Sequence, residues 1–258
     1  MTALTTFNFF AGDPAAARAR ISEKPNIARE VEYYKENISN IKSIDDLMND
    51  TQIYATVMRA YGLEDMAYAK GFMRKLLEGG TDDPESMANK LTDTRYKNLV
   101  SDFNFVRHGE ATTAFDRTQS GVIDNLYSQR IEADAGLQNG GARLAIYFQR
   151  KSEDVETPYA LLADTALLKF IQTTYSFPET MSLLPIEKQA AMIEEKLDVS
   201  DLKDPEFVDN LVNRFLSLWD VSNPETVEVP PLIAPPSGQL GISESMLSSI
   251  LSVKFFNQ

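Results

Sequence analysis

Oxygen donors at alternate positions are the first arrangement in this sequence that could do metal chemistry. Asp116-x-Thr118-x-Ser120-Gly121 opens as a calcium loop does, with glycine where such a loop turns. The loop must close on a bidentate carboxylate at its twelfth position, and Tyr127 stands there, so no metal is expected. His108 is the only histidine and there is no cysteine. That removes disulfides, zinc–thiolate sites, iron–sulfur clusters and thiol nucleophiles, and a Ser-His-Asp arrangement would rest on His108 with no second signal. Asp45-Asp46, Asp82-Asp83 and Glu194-Glu195 read as solvated faces or helix starts rather than acid–base pairs. Gly79-Gly80 and Gly140-Gly141 lack the spacing and the following Lys-Ser/Thr of a phosphate loop. Tyr33-Tyr34, Tyr147-Phe148 and Trp219 lie on helical stripes, where core packing accounts for them. No catalytic, cofactor-binding or metal-ligating residue is expected, and no cofactor.

One string needs separate treatment. Phe105-Val106-Arg107-His108-Gly109-Glu110-Ala111-Thr112 resembles the Arg-His-Gly-Glu signature of histidine phosphatases and phosphoglycerate mutases. The resemblance implies a histidine that accepts a phosphoryl group beside an arginine that neutralises it. That chemistry uses a second histidine, and none exists here. The signature also belongs directly after a buried strand near the start of an α/β fold. Here it follows about a hundred residues of helical pattern, and no alternation of strand and helix comes after it. A loop between helices is expected, with His108 dispensable.

The elements that would position any site are helical throughout. Asp13 can cap a helix with Pro14 in its first turn, after a flexible N-terminal stretch over 1–13. Ile27, Val31 and Tyr34 share one face of a helix over 26–37. Asp50-Thr51 opens another, ended by Gly62. Further helices are expected at about 65–78, from Asp83-Pro84 to about Asn89, and from Thr92 to about Phe103. A long pattern then runs from Thr112 to Lys151. Gly140 falls on its apolar stripe, so Gly140-Gly141 is read as a close approach of another helix rather than a break. Helices at 159–163, 164–175, 185–197 and 204–219 follow. Residues 223–241, rich in proline, form an extended linker. Beyond it Met246, Leu247, Ile250, Leu251 and Phe255 make the apolar face of a short helix, too short to stand alone; it is expected to dock either on the chain's own body or, as the candidate partner-binding surface, on another protein.

Part of this pattern occurs twice. Ala28-Arg29, Tyr33, Leu47, Asp50-Thr51 and Tyr61 match Ala142-Arg143, Tyr147, Leu161, Asp164-Thr165 and Tyr175 at a spacing of 114 without a gap. Asp83-Pro84-Glu85 with Asn89 returns as Asp204-Pro205-Glu206 with Asn210. The reading is an all-α fold with an internal duplication: a flexible segment over 1–25, a first helical unit over 26–111, a long helix and second unit over 112–222, and the linker and terminal helix over 223–258. Arg143, Tyr147 and Asp164 are expected to hold the second unit together, with the Arg143 guanidinium paired on a buried or half-buried face.

Charge excludes some partners. The chain of 258 residues has a net charge of −13. Residues 1–150 carry 18 basic and 21 acidic side chains, and 151–258 carry 7 and 17. A phosphate backbone would be repelled, so nucleic acid is not an expected partner. No run approaches the length of a membrane span, and the first residues lack the basic start and apolar run of a secretory signal peptide.

Asn139-Gly140-Gly141-Ala142-Arg143-Leu144-Ala145-Ile146-Tyr147-Phe148-Gln149-Arg150-Lys151 resembles an uncharacterised bacterial family, domain of unknown function twelve-seventeen. That family reads Asn-x-Gly-Val-Arg-Leu-Ala-Leu-Tyr-Phe-x-Arg-Lys at this point. The similarity continues through Leu161-Leu162-Ala163-Asp164 and Asp201-Leu202-x-Asp204-Pro205 to Asn213-Arg214-Phe215, and includes Asn89-Lys90-Leu91-x-Asp93-x-Arg95-Tyr96. Its members often sit in flagellar gene clusters. The resemblance therefore implies a non-enzymatic protein of flagellar structure, assembly or export, with flagellar components as partners, either cytoplasmic or exported by the flagellar route. The alternative is a cytoplasmic regulator or chaperone-like binder of flagellar subunits, and an unrecognised enzyme stands third. The family brings no functional residues with it, and oligomeric state is not legible.

Overall fold

Side chains that cap their own backbone start most of the helices in a computed structural model of the chain, which describes residues 1–223 apart from the Glu179 side chain. The expected linker and the helix bearing Met246, Leu247, Ile250, Leu251 and Phe255 lie outside the described residues. The fold is all-α. In chain order the helices are α1 (Ala3–Ala11), α2 (Pro14–Ser22), α3 (Pro25–Asn37), α4 (Ile44–Asn49), α5 (Thr51–Ala60), α6 (Lys70–Gly79), α7 (Met87–Lys90) and α8 (Thr94–Asp102). They continue with α9 (Phe105–His108), α10 (Ser120–Gln138), α11 (Gly140–Lys151), α12 (Pro158–Ala163), α13 (Thr165–Thr174), α14 (Ile186–Glu194) and α15 (Pro205–Ser222). Short 3₁₀ turns join several of them.

From α3 through the turn after α5, bounds and bonds recur at the 114-residue spacing. Asp50 Oδ1 accepts from Gln52 N and Ile53 N at the start of α5, and Asp164 Oδ1 accepts from Ala166 N and Leu167 N at the start of α13. The Tyr33 hydroxyl donates to Asp50 Oδ2 as the Tyr147 hydroxyl donates to Asp164 Oδ2. Both helices end alike. Leu63 N donates to Met58 O, and Phe177 N to Gln172 O, across a residue of positive φ: Gly62 at 68° and Ser176 at 54°.

Beyond that turn the halves diverge. Asp204 caps α15 through Glu206 N, but Asp83 lies in a turn ahead of the four-residue α7. The counterpart of Asp204 is instead Asp93, which caps α8 through Arg95 N. Asn98-Leu99-Val100-x-x-Phe103 then matches Asn210-Leu211-Val212-x-x-Phe215, and the apolar members of both strings are buried.

Two hydrophobic cores result. The first gathers residues from Ile21 to Tyr127, and the second gathers Ala3, Phe7 and residues from Ala135 to Leu216. α10 threads both: Val122, Leu126 and Tyr127 belong to the first, Ala135 to the second, and Ile131 packs against each. The first core thus runs past the boundary expected at 111/112. In the second core Phe148, Phe170 and Phe215 stack with centroids 3.7 and 4.3 Å apart, and Trp219 caps the column at 5.6 Å. Each such fully buried ring stabilises the fold by roughly 1.5–3 kcal/mol.

Two expectations about elements are corrected. Residues 1–25 are not a flexible segment, because Ala3 and Phe7 are buried in the second core, Ala3 N donates to Asp220 Oδ1 at 2.7 Å, and Asp13 caps α2. The long helix over Thr112–Lys151 is broken. Asn139 is extended (φ −157°) and its side chain accepts from Gly141 N and Ala142 N, so α10 ends and α11 begins there. The close approach does occur, one residue later than expected. A Cβ on Gly141 would stand 2.6 Å from Trp219 Cγ, whereas one on Gly140 would be 3.8 Å from Trp219 Cζ2.

Candidate functional site

The candidate residues separate when placed in the fold. Arg107 and His108 end α9, where Arg107 is exposed and pairs with Asp82 at 3.4 Å. The His108 ring sits edge-on to Phe115 at 4.9 Å. Thr118 of the calcium-like string is fully buried and its hydroxyl donates to Thr112 O and Phe115 O, so the alternate oxygens do not converge. Among the described residues no group of three or more histidines, aspartates or glutamates is placed to hold a metal ion. No helix among them is long and apolar enough to cross a membrane.

Tyr147 and Asp164 do meet, at 2.5 Å. Burial first, and then this hydrogen bond, raise the Tyr147 hydroxyl well above the ordinary phenol range. Beside them Glu132, 2% exposed, accepts from Arg150 Nε at 2.7 Å, and the Arg150 guanidinium lies 5.3 Å over the Tyr147 ring. Burial raises the Glu132 carboxyl above its usual value, and Arg150 partly opposes this. These groups join α10, α11 and α13 internally and face one another rather than a ligand.

Arg143 does not join them, against expectation. It is exposed, and its side chain makes no hydrogen bond or ion pair among the described residues, although its charge acts on the Glu132 carboxyl. The reason is steric. In the first turn of α11 its stem crosses α10 at Gly136, where an added Cβ would stand 2.7 Å from Arg143 Cδ. The guanidinium is thereby carried into a cleft of about 540 Å³.

One face of α10 (Leu126, Gln129, Arg130, Ala133) lines the cleft with the end of α5 and its following turn (Arg59, Gly62, Glu64, Asp65), Arg95 of α8, and Arg143. Four arginines therefore converge in a chain whose net charge is −13. Arg59 is committed to Glu30 through Nε at 2.8 Å and Nη2 at 2.5 Å. Arg95 is held by Asp93 and donates to the Gly62 carbonyl. The side chains of Arg130 and Arg143 make no hydrogen bond or ion pair among the described residues, and Arg130 Nε is buried without an acceptor. Buried donors are nearly always satisfied, so such a group needs an explanation. The sequence gives no local sign of this cleft, because its arginines come from separate elements; the one available pointer was Arg143 within the family-like string.

The chain also resembles known proteins. A crystal structure of a protein from Agrobacterium tumefaciens, determined by structural genomics, matches with a TM-score of 0.79 and 42% identity, over 86% of this chain and 94% of that one. No curated protein matches the chain. Residues 60–208 match the model of the family described as protein of unknown function, DUF1217. With more than half of its length matched, the chain belongs to the DUF1217 family.

Proposed function

We propose that the chain is a non-enzymatic helical protein of the bacterial flagellum, serving its structure, assembly or export by binding a protein partner. Arg143 carries the binding half of this reading. It stands inside the string by which the chain resembles its family, yet it projects into a cleft with no internal partner. The flagellar half is supported by that resemblance and its flagellar gene clusters. The recurrence of α3–α5 in α11–α13 fits duplication of one helical unit, with the cleft where α10 and α11 pass from one copy to the other.

A second reading, a cytoplasmic regulator or chaperone-like binder of flagellar subunits, is favoured by the folded N-terminus. A chain threaded from its first residue would have to surrender Ala3 and Phe7 from a core. Culture supernatants of export-competent and export-deficient cells separate the two. Release from competent cells alone supports an exported role, and retention in both supports the cytoplasmic one. Normal motility and normal filaments in a deletion strain would overturn the flagellar assignment.

A further inference from the structure

The charge inventory of the arginine cleft sorts its ligands. Arg130 and Arg143 are its two uncommitted guanidinium groups. The nearby Glu132 carboxylate, whose field reaches Arg143, is already held by Arg150. Guanidinium forks match the planar oxygens of a carboxylate or phosphate in bidentate fashion. Glu64, 3.8 Å from Arg59 Nη1 and largely exposed, and Asp65, whose charge acts on Arg95, line the same cleft and disfavour an anion of high charge density. They complement a backbone amide or a cationic side chain placed beside a single carboxylate. The cleft, at about 540 Å³, also has room for several side chains rather than one small ion.

Resting on the partner-binding reading above, we propose that the cleft binds a mixed-charge peptide segment of a partner protein. Arg130 and Arg143 grip its carboxylate, and Glu64 and Asp65 face its neighbouring amide or cation.

The test is arginine-detected NMR on the full chain at fixed ionic strength, titrated with the N-acetylated, amidated dipeptide Glu-Lys. Inorganic phosphate and sodium chloride serve as comparison titrants. The Nε–H signals of Arg130 and Arg143 should shift saturably with the dipeptide. Arg143→Gln and Arg130→Gln should each weaken binding about tenfold, the equivalent of one charge-assisted hydrogen bond. Arg143→Lys should weaken it too, and the exposed Arg18→Gln should leave it unchanged. Unaltered melting temperatures would show that the variants fold. No saturable shift, an equal response to sodium chloride, or full affinity in Arg143→Gln would overturn the proposal. Tighter binding of phosphate than of the dipeptide would assign the cleft to a phosphoryl ligand instead. Peptide binding without a motility phenotype would sink the flagellar assignment alone, whereas a motility defect without peptide binding would sink this proposal alone.

Discussion

At the scale of single residues, the Tyr–Asp pairs that recur in α3–α5 and α11–α13 differ in environment. The Tyr147 hydroxyl is raised mainly by burial, that of Tyr33 mainly by its bond to Asp50. A hydrogen bond to a charged acceptor in a drier site is worth more, so Tyr147→Phe should cost about 1.5–3 kcal/mol in urea denaturation and Tyr33→Phe clearly less. Equal losses would show that the two surroundings are equivalent. Glu132 supplies a pH dependence. Below its ordinary value of 4.5 the carboxyl is protonated in both states, and its contribution is fully present. As pH rises through the raised folded value, the folded state must release a proton that it holds more tightly, and stability is lost. The stability of the parent chain relative to Glu132→Gln should therefore fall as pH rises above 4.5. A rise would mean that Arg150 outweighs burial. The capping aspartates were legible in the sequence because they bond to their own backbone. Arg143 was not, because a helical pattern says which residues share a face and not what that face meets.

Among elements, the junction of α10 and α11 shows both the reach and the limit of pattern. Apolar spacing carries one stripe straight through residues 112–151, but the structure has both a break before Gly140 and a close approach, the latter at Gly141 instead of Gly140. The break falls at Asn139, whose extended backbone leaves the helix and whose side chain accepts from the first amides of α11. Asn139→Ala should cost about 1 kcal/mol by thermal melting. Gly141→Ala should cost about 1–3 kcal/mol, because the new methyl meets the Trp219 ring. Gly140→Ala should be neutral or stabilising, since the site has space and alanine favours the helix. If Gly140 and Gly141 proved equally sensitive, the packing of α15 on α11 would be misplaced. The pairing of Asp83 with Asp204 failed on similar grounds. Both aspartates precede a proline and look like helix starts, but only one precedes a long apolar face.

At the scale of the whole molecule, the described residues form two cores sharing one helix, and these cores were more legible in the sequence than their limits. Residues 1–25 looked flexible because a short stretch of Thr, Phe and Asn carries little periodicity; their order comes from contacts with helices more than a hundred residues away. Deleting residues 1–13 should therefore sharply reduce amide-exchange protection in α11, α13 and α15 while leaving that in α5 and α6 largely intact. Equal loss in both sets would mean that the cores open as one cooperative unit.

That placement of α1 also sets an order of events during synthesis. α1, made before the other helices described, closes a core whose last members stand at Phe215 and Leu216. The core built on α3–α8 can be complete once Tyr127 has emerged. α1 packs on α11 as well as α15, so its burial is complete only once α15 has been made, and such late, long-range closure is the slow kind. For α1, synthesis and completion run in opposite directions: a polypeptide interrupted before α15 leaves one of the oldest helices without part of its packing surface.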